Sequence, residues 1–397
     1  MNFIKNMDLK NKRVFLRADL NIPISQDGKI IENYKLKQIL PTINYIQENG
    51  GKVILATHIG RPDPKEHTNF YDETLSTKIL IPWFEENGYE IKYKIDLIKA
   101  ENFSHENFSK ILLLENLRFY HGEKGNSLER ENFAQILKKL ADIYINDAFA
   151  LIHRDDCSIN ELILKFSPKD RGFGFLIDKE IKELNKIKYN PEKPFLVILG
   201  GNKLETKIPL LEYFLDKDEK TKPNSIIIGG AISYTFLASQ GFNMGQSIVD
   251  NTKIDFAKKF LEKAKEKDIK ILLPIDHVTI FGIQNTKNFQ ENESAIDIGP
   301  DSIKLFSDEI IKAKTIFING TMGIYMQPES STGSKEILNT IANSDSYKIA
   351  GGGDCIAAIN LFNLQDKFNF LSTGGGATLD YLAKDVDAQE LPGLKNL

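Results

Sequence analysis

Short apolar runs alternate with longer segments of helical periodicity over most of the chain. Apolar runs without internal proline, each followed by polar residues, are typical of strands buried in a parallel sheet, and the helical segments between them supply the crossovers. The pattern predicts strands at residues 13–16, 52–56, 111–114, 142–145, 195–199, 225–228, 269–273, 315–318, 347–350 and 368–371. We therefore expect an α/β protein with two sheets of several strands each.

One helical segment separates the two groups of predicted strands. It runs from Asp178 to Tyr189, with apolar residues at Ile181, Leu184 and Ile187, and Asn190 with Pro191 ends it. A helix between two sheets predicts two lobes joined by a semi-rigid spacer, with a boundary near residues 167–178. A length of 397 residues agrees with two or three domains.

Composition and charge exclude several classes of protein. Lys and Arg total 51 against 55 Asp and Glu, so the chain lacks the basic footprint of a nucleic-acid binder. No apolar run approaches the roughly 18 residues of a membrane span, and the first residues have no signal-peptide core, so we expect neither insertion nor secretion. The two cysteines, Cys157 and Cys355, cannot form a disulfide framework, which favours a reducing cytoplasm.

The residues that follow the predicted strands differ between the two halves. Ligands of open parallel sheets bind beyond the carboxyl ends of the strands. In the first half these positions carry mainly cationic and amide side chains: Arg17, Asp19, Asn21, His58, Arg61, Arg118, Asn146, Asp147, His153 and Arg154. A single arginine there is as often a surface residue or a structural ion pair, but the joint placement favours an anion site.

Glycines follow the strands of the second half, at 200–201, 229–230, 351–353 and 374–376. Glycine lets backbone N–H groups approach an anion, whereas a single Gly-Gly pair is often only a tight turn. Lys203 and Lys207 would share one face if a helix starts there, which makes phosphate a natural partner. Asp354 is a candidate Mg²⁺ ligand or an N-cap, and Cys355 either has an activated thiol or fills a small-residue position.

One half that offers Arg and His, and another that offers glycine amides, lysines and a carboxylate, together predict phosphoryl transfer. Two other readings fail. His153, Arg154, Asp155 and Asn160 have the spacing of a protein-kinase catalytic loop, but its other motifs are absent from the sequence. The sequence also has no GxxxxGK[ST] loop of the P-loop enzymes.

Ten blocks, in order along nearly the whole chain, resemble those of the phosphoglycerate kinase family. They are RADLNIP from Arg17, THIGRP from Thr57, LLENLRF from Leu113, YINDAF from Tyr144, ILGGNKLETKI from Ile198, IIGGAISYTFL from Ile227, DIGP from Asp297, NGTMGIY from Asn319, GGGDC from Gly351 and STGGGATLDYL from Ser372. The resemblance implies two doubly wound (Rossmann-like) parallel-sheet domains separated by a hinged cleft. It also implies a phosphotransferase with a carboxyl acceptor, acting between 1,3-bisphosphoglycerate with ADP and 3-phosphoglycerate with ATP.

The same resemblance assigns roles to individual residues. The 3-phosphoglycerate site comprises Asp19, Asn21, Lys35, His58, Arg61, Arg118 and Arg154. The nucleotide site comprises Lys207, Gly299, Asn319, Gly323, Met326, Gly352, Gly353, Asp354 and Cys355, with Asp354 holding Mg²⁺ together with the phosphates of ATP or ADP. The catalytic residues, which stabilise the migrating phosphoryl group, are Lys35, Lys203, Gly352 and Gly353.

The resemblance further implies a glycolytic, cytoplasmic monomer whose partners are small-molecule substrates. Residues 1–170 form the 3-phosphoglycerate domain, 171–190 the inter-domain helix and hinge, and 191–373 the nucleotide domain. Residues 374–397 return to the first domain.

The chain departs from the family pattern at four places. Lys35 stands where the family has an arginine and so loses the planar guanidinium fork, which predicts slower catalysis. Met326 stands in place of a ribose-binding glutamate and cannot accept a strong hydrogen bond, although Glu329 is nearby in sequence. Thr321 replaces a proline. Residues 150–152 and 155–157 replace small residues and a second histidine beside His153 and Arg154, which reshapes the expected glycerate pocket.

Three hypotheses therefore stand. The first is an ATP-dependent phosphoglycerate kinase with a divergent site. The second is a paralogue on the same fold that phosphorylates another small carboxylate. The third is a catalytically silent nucleotide-binding protein.

Overall fold

The computed structural model describes residues 2–25, 28–62, 71–106, 110–384 and 391–397. The chain divides into two compact units, Met1–Ile181 with Val386–Leu397, and Lys182–Asp385. The division falls inside the predicted spacer helix. It keeps residues 374–384 with the second unit, whereas the bounds expected from the sequence return residues 374–397 to the first domain. Those expected bounds stay a prediction. In the described ranges, no helix combines the length and the apolar character that crossing a membrane requires.

The first unit contains a six-stranded sheet in which every neighbouring pair is parallel. Its strands are β1 (Arg13–Ala18), β2 (Lys52–Ala56), β3 (Ile91–Lys94), β4 (Ile111–Leu114), β5 (Ile143–Asp147) and β6 (Arg171–Phe173), in the order β3-β4-β2-β1-β5-β6. Its helices are α1 (Tyr34–Glu48), α2 (Ile81–Glu86), α3 (Leu97–Ser104) and α4 (Ser127–Lys139). Helix α5 (Phe175–Tyr189) begins in this unit and ends in the second.

Alternate residues of the central strands enter two different cores. Val14 and Leu16 belong to one cluster of buried side chains, whereas Phe15 between them belongs to another. Because successive strand residues point to opposite faces, a strand covered on both sides must be apolar throughout. This is why β1, β2, β4 and β5 contain continuous apolar runs.

The second unit contains a six-stranded parallel sheet and a small antiparallel one. The parallel sheet consists of β7 (Phe195–Leu199), β8 (Ser225–Ile228), β9 (Lys270–Leu272), β13 (Thr315–Asn319), β14 (Tyr347–Gly351) and β15 (Phe370–Leu371), in the order β15-β14-β13-β7-β8-β9. The other consists of β10 (Asp276–Thr279), β11 (Gly282–Asn285) and β12 (Asp297–Ile298). The helices are α6 (Ile208–Asp216), α7 (Ile232–Ser239), α8 (Ile254–Glu266), α9 (Pro300–Ile310), α10 (Thr332–Asn343), α11 (Gly353–Leu361) and α12 (Gly376–Ala383).

The strand order of the second parallel sheet is that of dinucleotide-binding folds. Counted along the chain within this sheet, its strands lie in the order 3-2-1-4-5-6. The order reverses between β7 and β13, and ligands of such sheets bind beyond the strand ends at this switch point. The residues directly after β7 and β13 are therefore the first place to look for a ligand.

The predicted α/β class with two parallel sheets is confirmed, and each of the ten predicted strands overlaps an observed one. Strands β3, β6 and β10 to β12 were not predicted. These strands are two to four residues long, so none contains a long apolar run. In β3 apolar residues alternate with lysines, and most side chains of β11 are exposed. The predicted helix begins at Phe175 rather than at Asp178.

Asp147, at the end of β5, supports the first turn of α5. Its buried carboxylate accepts hydrogen bonds from the Ile177 N–H at 2.9 Å and from the Thr42 hydroxyl at 2.5 Å. The Thr42 hydroxyl in turn accepts from the Phe175 N–H at 3.0 Å. Gly174 is required beside this carboxylate, since a Cβ there would lie 2.4 Å from the Asp147 Cγ. One carboxylate thus joins β5, α1 and the start of α5.

We expect Asp147→Ala to lower the free energy of unfolding by about 2 to 4 kcal/mol, because it leaves buried donors on Thr42 and Ile177 unpaired. Asp147→Asn, which keeps the shape and an acceptor oxygen, should lose under about 1 kcal/mol. Urea titration of the full chain, followed by circular dichroism, measures both. Equal losses in the two variants would contradict the capping role.

Candidate functional site

Polar side chains lie together beyond the carboxyl ends of β1, β2 and β4 in the first unit. Arg17, still inside β1, is wholly buried and faces the interior. Its guanidinium donates to the Ser158 Oγ at 2.8 Å and to the Ala18 carbonyl at 2.6 Å. Its Nη2 lies 3.7 Å from an oxygen of the buried Glu123 carboxylate. Arg17 is therefore a structural ion pair rather than a ligand-facing cation.

Asp19 and Lys35 form a close ion pair at this edge of the sheet. The Lys35 Nζ lies 2.6 Å from the Asp19 Oδ2 and also donates to the Asn21 carbonyl at 3.2 Å. Burial alone would raise the pKa of Asp19, but the positive charges of Lys35 and Arg17 and the hydrogen bond from Lys35 outweigh it and hold that pKa below its usual value. The Asn21 Oδ1 accepts from the Gly60 N–H at 2.9 Å, which ties the end of β1 to the loop after β2.

His58 is buried beside this pair and is neutral. Burial lowers its pKa well below the usual value, and Arg17 and Arg118 lower it further, whereas Asp19 at 4.0 Å acts in the opposite direction. The Arg17 Nη2 lies 3.5 Å from the His58 Nδ1. Because a guanidinium can only donate, this contact requires an unprotonated Nδ1. The neutral ring of His58 therefore carries its proton on Nε2.

Arg118 lies in the loop after β4, and the residue is 6% exposed. Its Nη1 donates to the Gly60 carbonyl at 2.9 Å, and its Nη2 lies 3.4 Å from the Asp156 carboxylate. Among the described residues its buried Nε has no partner. Arg118 thus retains donor capacity at the same edge as Asp19 and Lys35.

Arg61 and Arg154, the other two predicted arginines, are exposed. Arg61 follows Gly60, which bonds both Asn21 and Arg118. Arg154 and Arg118 both act electrostatically on Lys124, which places Arg154 near this edge. The structure therefore brings the predicted acceptor residues to one edge of one sheet, with two guanidinium groups facing solvent.

In the second unit, Lys207 and Asn319 meet at the switch point of the sheet. The buried Lys207 Nζ donates to the Oδ1 of Asn319, the last residue of β13. Burial lowers the pKa of Lys207 to about 8, although the neighbouring Cys355 and Asp354 act to raise it. The Asn319 Nδ2 is buried without a partner among the described residues. A buried ammonium and an unpaired amide N–H together offer donors to an anion.

Lys203 does not share a helix face with Lys207. A 3₁₀ turn, Leu204–Thr206, follows Lys203, and helix α6 begins only at Ile208. The condition for a shared face, a helix that starts at Lys203, is therefore not met. The Lys207 N–H instead closes the turn onto the Leu204 carbonyl at 2.8 Å. Lys203 is exposed and free to move toward a ligand, whereas Lys207 is held.

Helix α11 begins directly after β14 and completes this site. Gly352 precedes it with a φ of +94°, and a Cβ there would lie 3.0 Å from the Asn319 Nδ2. A Cβ at Gly353 would meet nothing within 4 Å, so the space beside this residue is open. Asp354 is exposed in the first turn. Since the first N–H groups of a helix have no partner within it, this terminus suits a phosphate.

Cys355 has an ordinary packing role. Its side chain is fully buried, and burial raises the pKa of the thiol to about 12, although Lys207 and the Gly320 N–H act to lower it. Burial and a raised pKa disfavour an activated thiol, and a small packing residue is the interpretation that fits.

Two glycines predicted in the nucleotide site have a packing reason of their own. A Cβ at Gly299 would lie 2.3 Å from an oxygen of Asp276, and one at Gly323 would lie 2.3 Å from an oxygen of Asp297. Asp276 accepts from the Ser302 N–H at 2.7 Å and so caps α9. Asp297 accepts from the Gly333 N–H at 2.7 Å.

Two of the four glycine clusters also pack against protein rather than line open space. A Cβ at Gly200 or Gly230 would fall within 2.6 Å of the Thr321 carbonyl, and one at Gly229 would meet the Met322 sulfur. The clusters that lead into α11 and α12 are more open, since a Cβ at Gly353, Gly375 or Gly376 has no neighbour within 4 Å. Only part of the glycine pattern therefore borders open space.

Met326 lies on the loop that follows β13 and is 73% exposed. Its neighbour Tyr325 has a pKa raised by burial and by Asp354, which places this loop near the start of α11. Met326 thus presents its thioether to solvent on a loop near the start of α11.

The acidic residues of this site suit a magnesium ion that a nucleotide brings with it. The described part of the chain has no group of three or more His, Cys, Asp or Glu placed to hold a metal ion. Mg²⁺ usually takes one or two carboxylates and completes its coordination with phosphate oxygens and water. The exposed Asp354, beside the open helix terminus, fits that mode of binding.

Sequence reasoning missed Glu123, Ser158 and Asn116. Glu123 accepts from the Ser158 hydroxyl at 2.6 Å, and the Asn116 amide donates to the Ile59 and Leu75 carbonyls at 2.8 Å each. These residues position the loops that carry Arg118 and Arg154. Nothing in the spacing of such single polar residues separates them from ordinary loop residues.

Comparisons with known proteins agree with this geometry. The model of a family described as "Phosphoglycerate kinase" matches residues 4–385. Proteins named phosphoglycerate kinase from Bdellovibrio bacteriovorus and Thermosipho africanus are 38% and 40% identical, and each match covers 99% of this chain and 96% and 97% of theirs. The structure of phosphoglycerate kinase from Coxiella burnetii superposes with a TM-score of 0.81 at 30% identity, over 100% of this chain and 97% of the other.

We expect the affinity for ADP to fall as the pH rises from 7 to 9, because the Lys207 ammonium loses its proton near pH 8. The charged form binds phosphate, so affinity is retained below this pKa and lost above it. Lys207→Arg should flatten the profile, since a guanidinium stays protonated throughout.

Isothermal titration of the full chain with ADP measures this profile. The exposed Lys304 on α9 provides the control, and Lys304→Met should keep the native profile. A native profile that parallels that of Lys207→Arg would exclude Lys207 as the titrating group.

Proposed function

Because this chain belongs to the phosphoglycerate kinase family, we propose that it moves a phosphoryl group reversibly between 1,3-bisphosphoglycerate with ADP and 3-phosphoglycerate with ATP. The substrates are small anions, and each unit offers donors at the carboxyl edge of its parallel sheet. The observation that carries the proposal is the pairing of Lys207 with Asn319 at a dinucleotide-type switch point beside the open start of α11.

The first unit binds the acceptor. Lys35, Arg61, Arg118 and Arg154 supply cationic groups against the carboxylate and phosphate of 3-phosphoglycerate. His58 stays neutral and donates a hydrogen bond without adding charge. Asp19 and Asn21 accept from Lys35, and so hold its ammonium in place. These seven residues form the acceptor site. The main observation in support is that they converge on one edge of the sheet.

The second unit binds the nucleotide. Lys207 and Asn319 meet the phosphates together with the amides of Gly352 and Gly353. Met326, on the Tyr325 loop, borders the ribose side, and Cys355 packs beneath the helix start. Gly299 and Gly323 shape the loops around it by making room for two buried carboxylates.

Catalysis rests on positioning and on charge stabilisation, as is general for phosphoryl transfer. The exposed Lys203 is free to follow the phosphoryl group, while the amides of Gly352 and Gly353 are fixed by α11. Lys35 contributes from the acceptor side, through a point charge instead of a planar fork. Asp354 would hold Mg²⁺, which neutralises phosphate charge when the nucleotide is bound.

We extend the proposal to a cytoplasmic monomer. The two cysteines, Cys157 and Cys355, are both free and buried, which suits a reducing compartment.

Steady-state turnover with 3-phosphoglycerate and MgATP, drained by a coupled dehydrogenase, tests the function. We expect turnover by the native chain, and we expect Lys35→Arg to raise kcat by about 3- to 10-fold because a guanidinium forms bidentate hydrogen bonds. The KM for 3-phosphoglycerate should stay within about two-fold. Lys37→Arg, an exposed lysine on the same helix, is the matched control.

Failure of both native and Lys35→Arg chains to turn over, with phosphorylation of another small carboxylate, would replace the glycolytic assignment by the paralogue. Binding of 3-phosphoglycerate without turnover of any carboxylate would instead favour the silent binding protein.

Met326→Glu should lower the KM for MgATP by about 5-fold, since it supplies a carboxylate acceptor worth about 1 kcal/mol. Gln327→Glu introduces the same charge one residue away and should leave the KM unchanged. Equal effects in both variants would indicate a general charge effect and contradict a ribose contact at residue 326.

A further inference from the structure

A buried carboxylate, that of Asp156, lies against Arg118 of the proposed acceptor site. Asp156 is 4% exposed, and its Oδ2 lies 3.4 Å from the Arg118 Nη2. The other terminal nitrogen of Arg118 donates to the Gly60 carbonyl at 2.9 Å. The guanidinium that would receive an anionic ligand thus already faces an anion of the protein.

The loop that carries Asp156 is well fixed. The Asp156 carbonyl accepts from the Ile159 and Asn160 N–H groups at 2.9 and 3.0 Å. Two residues further on, the Ser158 Oγ accepts from Arg17 and donates to Glu123. These hydrogen bonds fix the backbone of the loop and so hold the carboxylate beside Arg118.

Other cations near Asp156 belong to the same edge. Lys124 interacts electrostatically with Asp156, Arg118 and Arg154. Asp156 also contributes to the raised pKa of Glu123, where burial is the larger cause. Asp156 therefore lies in the positive field of the acceptor site and reduces it.

We propose that Asp156 sets the affinity of the acceptor site, because its carboxylate competes with the anionic groups of 3-phosphoglycerate for Arg118. The proposal rests on the acceptor site proposed above. An anion that binds Arg118 must displace this ion pair and then lies near a second negative charge, which weakens binding. Asp156 thereby raises the concentration of 3-phosphoglycerate needed to fill the site and speeds the release of this ligand. It takes no part in the transfer.

The variant Asp156→Asn removes the charge and keeps the volume. We expect the KM and Kd for 3-phosphoglycerate at low ionic strength to fall by about 10-fold, since like charges a few ångströms apart repel strongly where solvent is excluded. The KM for MgATP and kcat should stay within about two-fold, and the gain in affinity should shrink at about 0.5 M salt. A purely structural residue would not produce this combination.

Asp155→Asn is the matched control. Asp155 is the neighbouring carboxylate, its side chain is 65% exposed, and it pairs with Arg130 instead. We expect it to keep the native affinity for 3-phosphoglycerate. Asp156→Ser, which is also neutral but smaller, should reproduce the gain in affinity and covers the case in which Asp156→Asn does not fold.

Inorganic phosphate, titrated calorimetrically, separates this proposal from the proposed function. If the native chain does not turn over 3-phosphoglycerate, but Asp156→Asn still binds inorganic phosphate about 10-fold more tightly, the function fails and the role of Asp156 stands. Unchanged affinity for both ligands in Asp156→Asn and Asp156→Ser would overturn the proposal. Weaker binding would overturn it too, since Asp156 would then orient Arg118 for the ligand.

Discussion

A guanidinium without any contact with water, Arg17, organises the acceptor edge of the first unit. It lies inside β1, and its partners Ser158 and Glu123 come from segments far along the chain. A buried charge is tolerated only when it is paired and hydrogen-bonded, so these segments must come to β1 for the unit to fold. A fully buried residue therefore positions two loops, the one with Arg154 and Asp156 and the one with Arg118.

Much of the fold was predictable because parallel sheets covered on both faces leave long apolar runs. The runs at β1, β2, β4, β7 and β13 stand out for this reason. The edge strands β3 and β6 of the first sheet and the antiparallel sheet of β10 to β12 were not predictable in this way, since each of these strands has only two to four residues and none contains a long apolar run. The cap that Asp147 provides also starts α5 three residues earlier than its apolar period indicates.

The candidate site was predictable as to location but not as to the role of each residue. Strand ends indicated the edge where Asp19, His58 and Arg118 meet, yet Arg17 and Arg118 look alike in the sequence and differ in burial and partners. Likewise Gly353 borders open space, whereas Gly299 makes room for the Asp276 carboxylate. Side chains distant in sequence decide whether a given glycine or arginine borders open space or packs against protein. No local sequence pattern could therefore reveal its role.

The two parallel sheets do not have the same strand order. Counted along the chain within each unit, the first has the order 3-4-2-1-5-6 and the second the order 3-2-1-4-5-6. The fourth strand lies between the second and third in one sheet and on the far side of the first strand in the other. The two units are therefore not copies of one topology. Each brings polar residues to the carboxyl edge of its sheet along a different path of the chain.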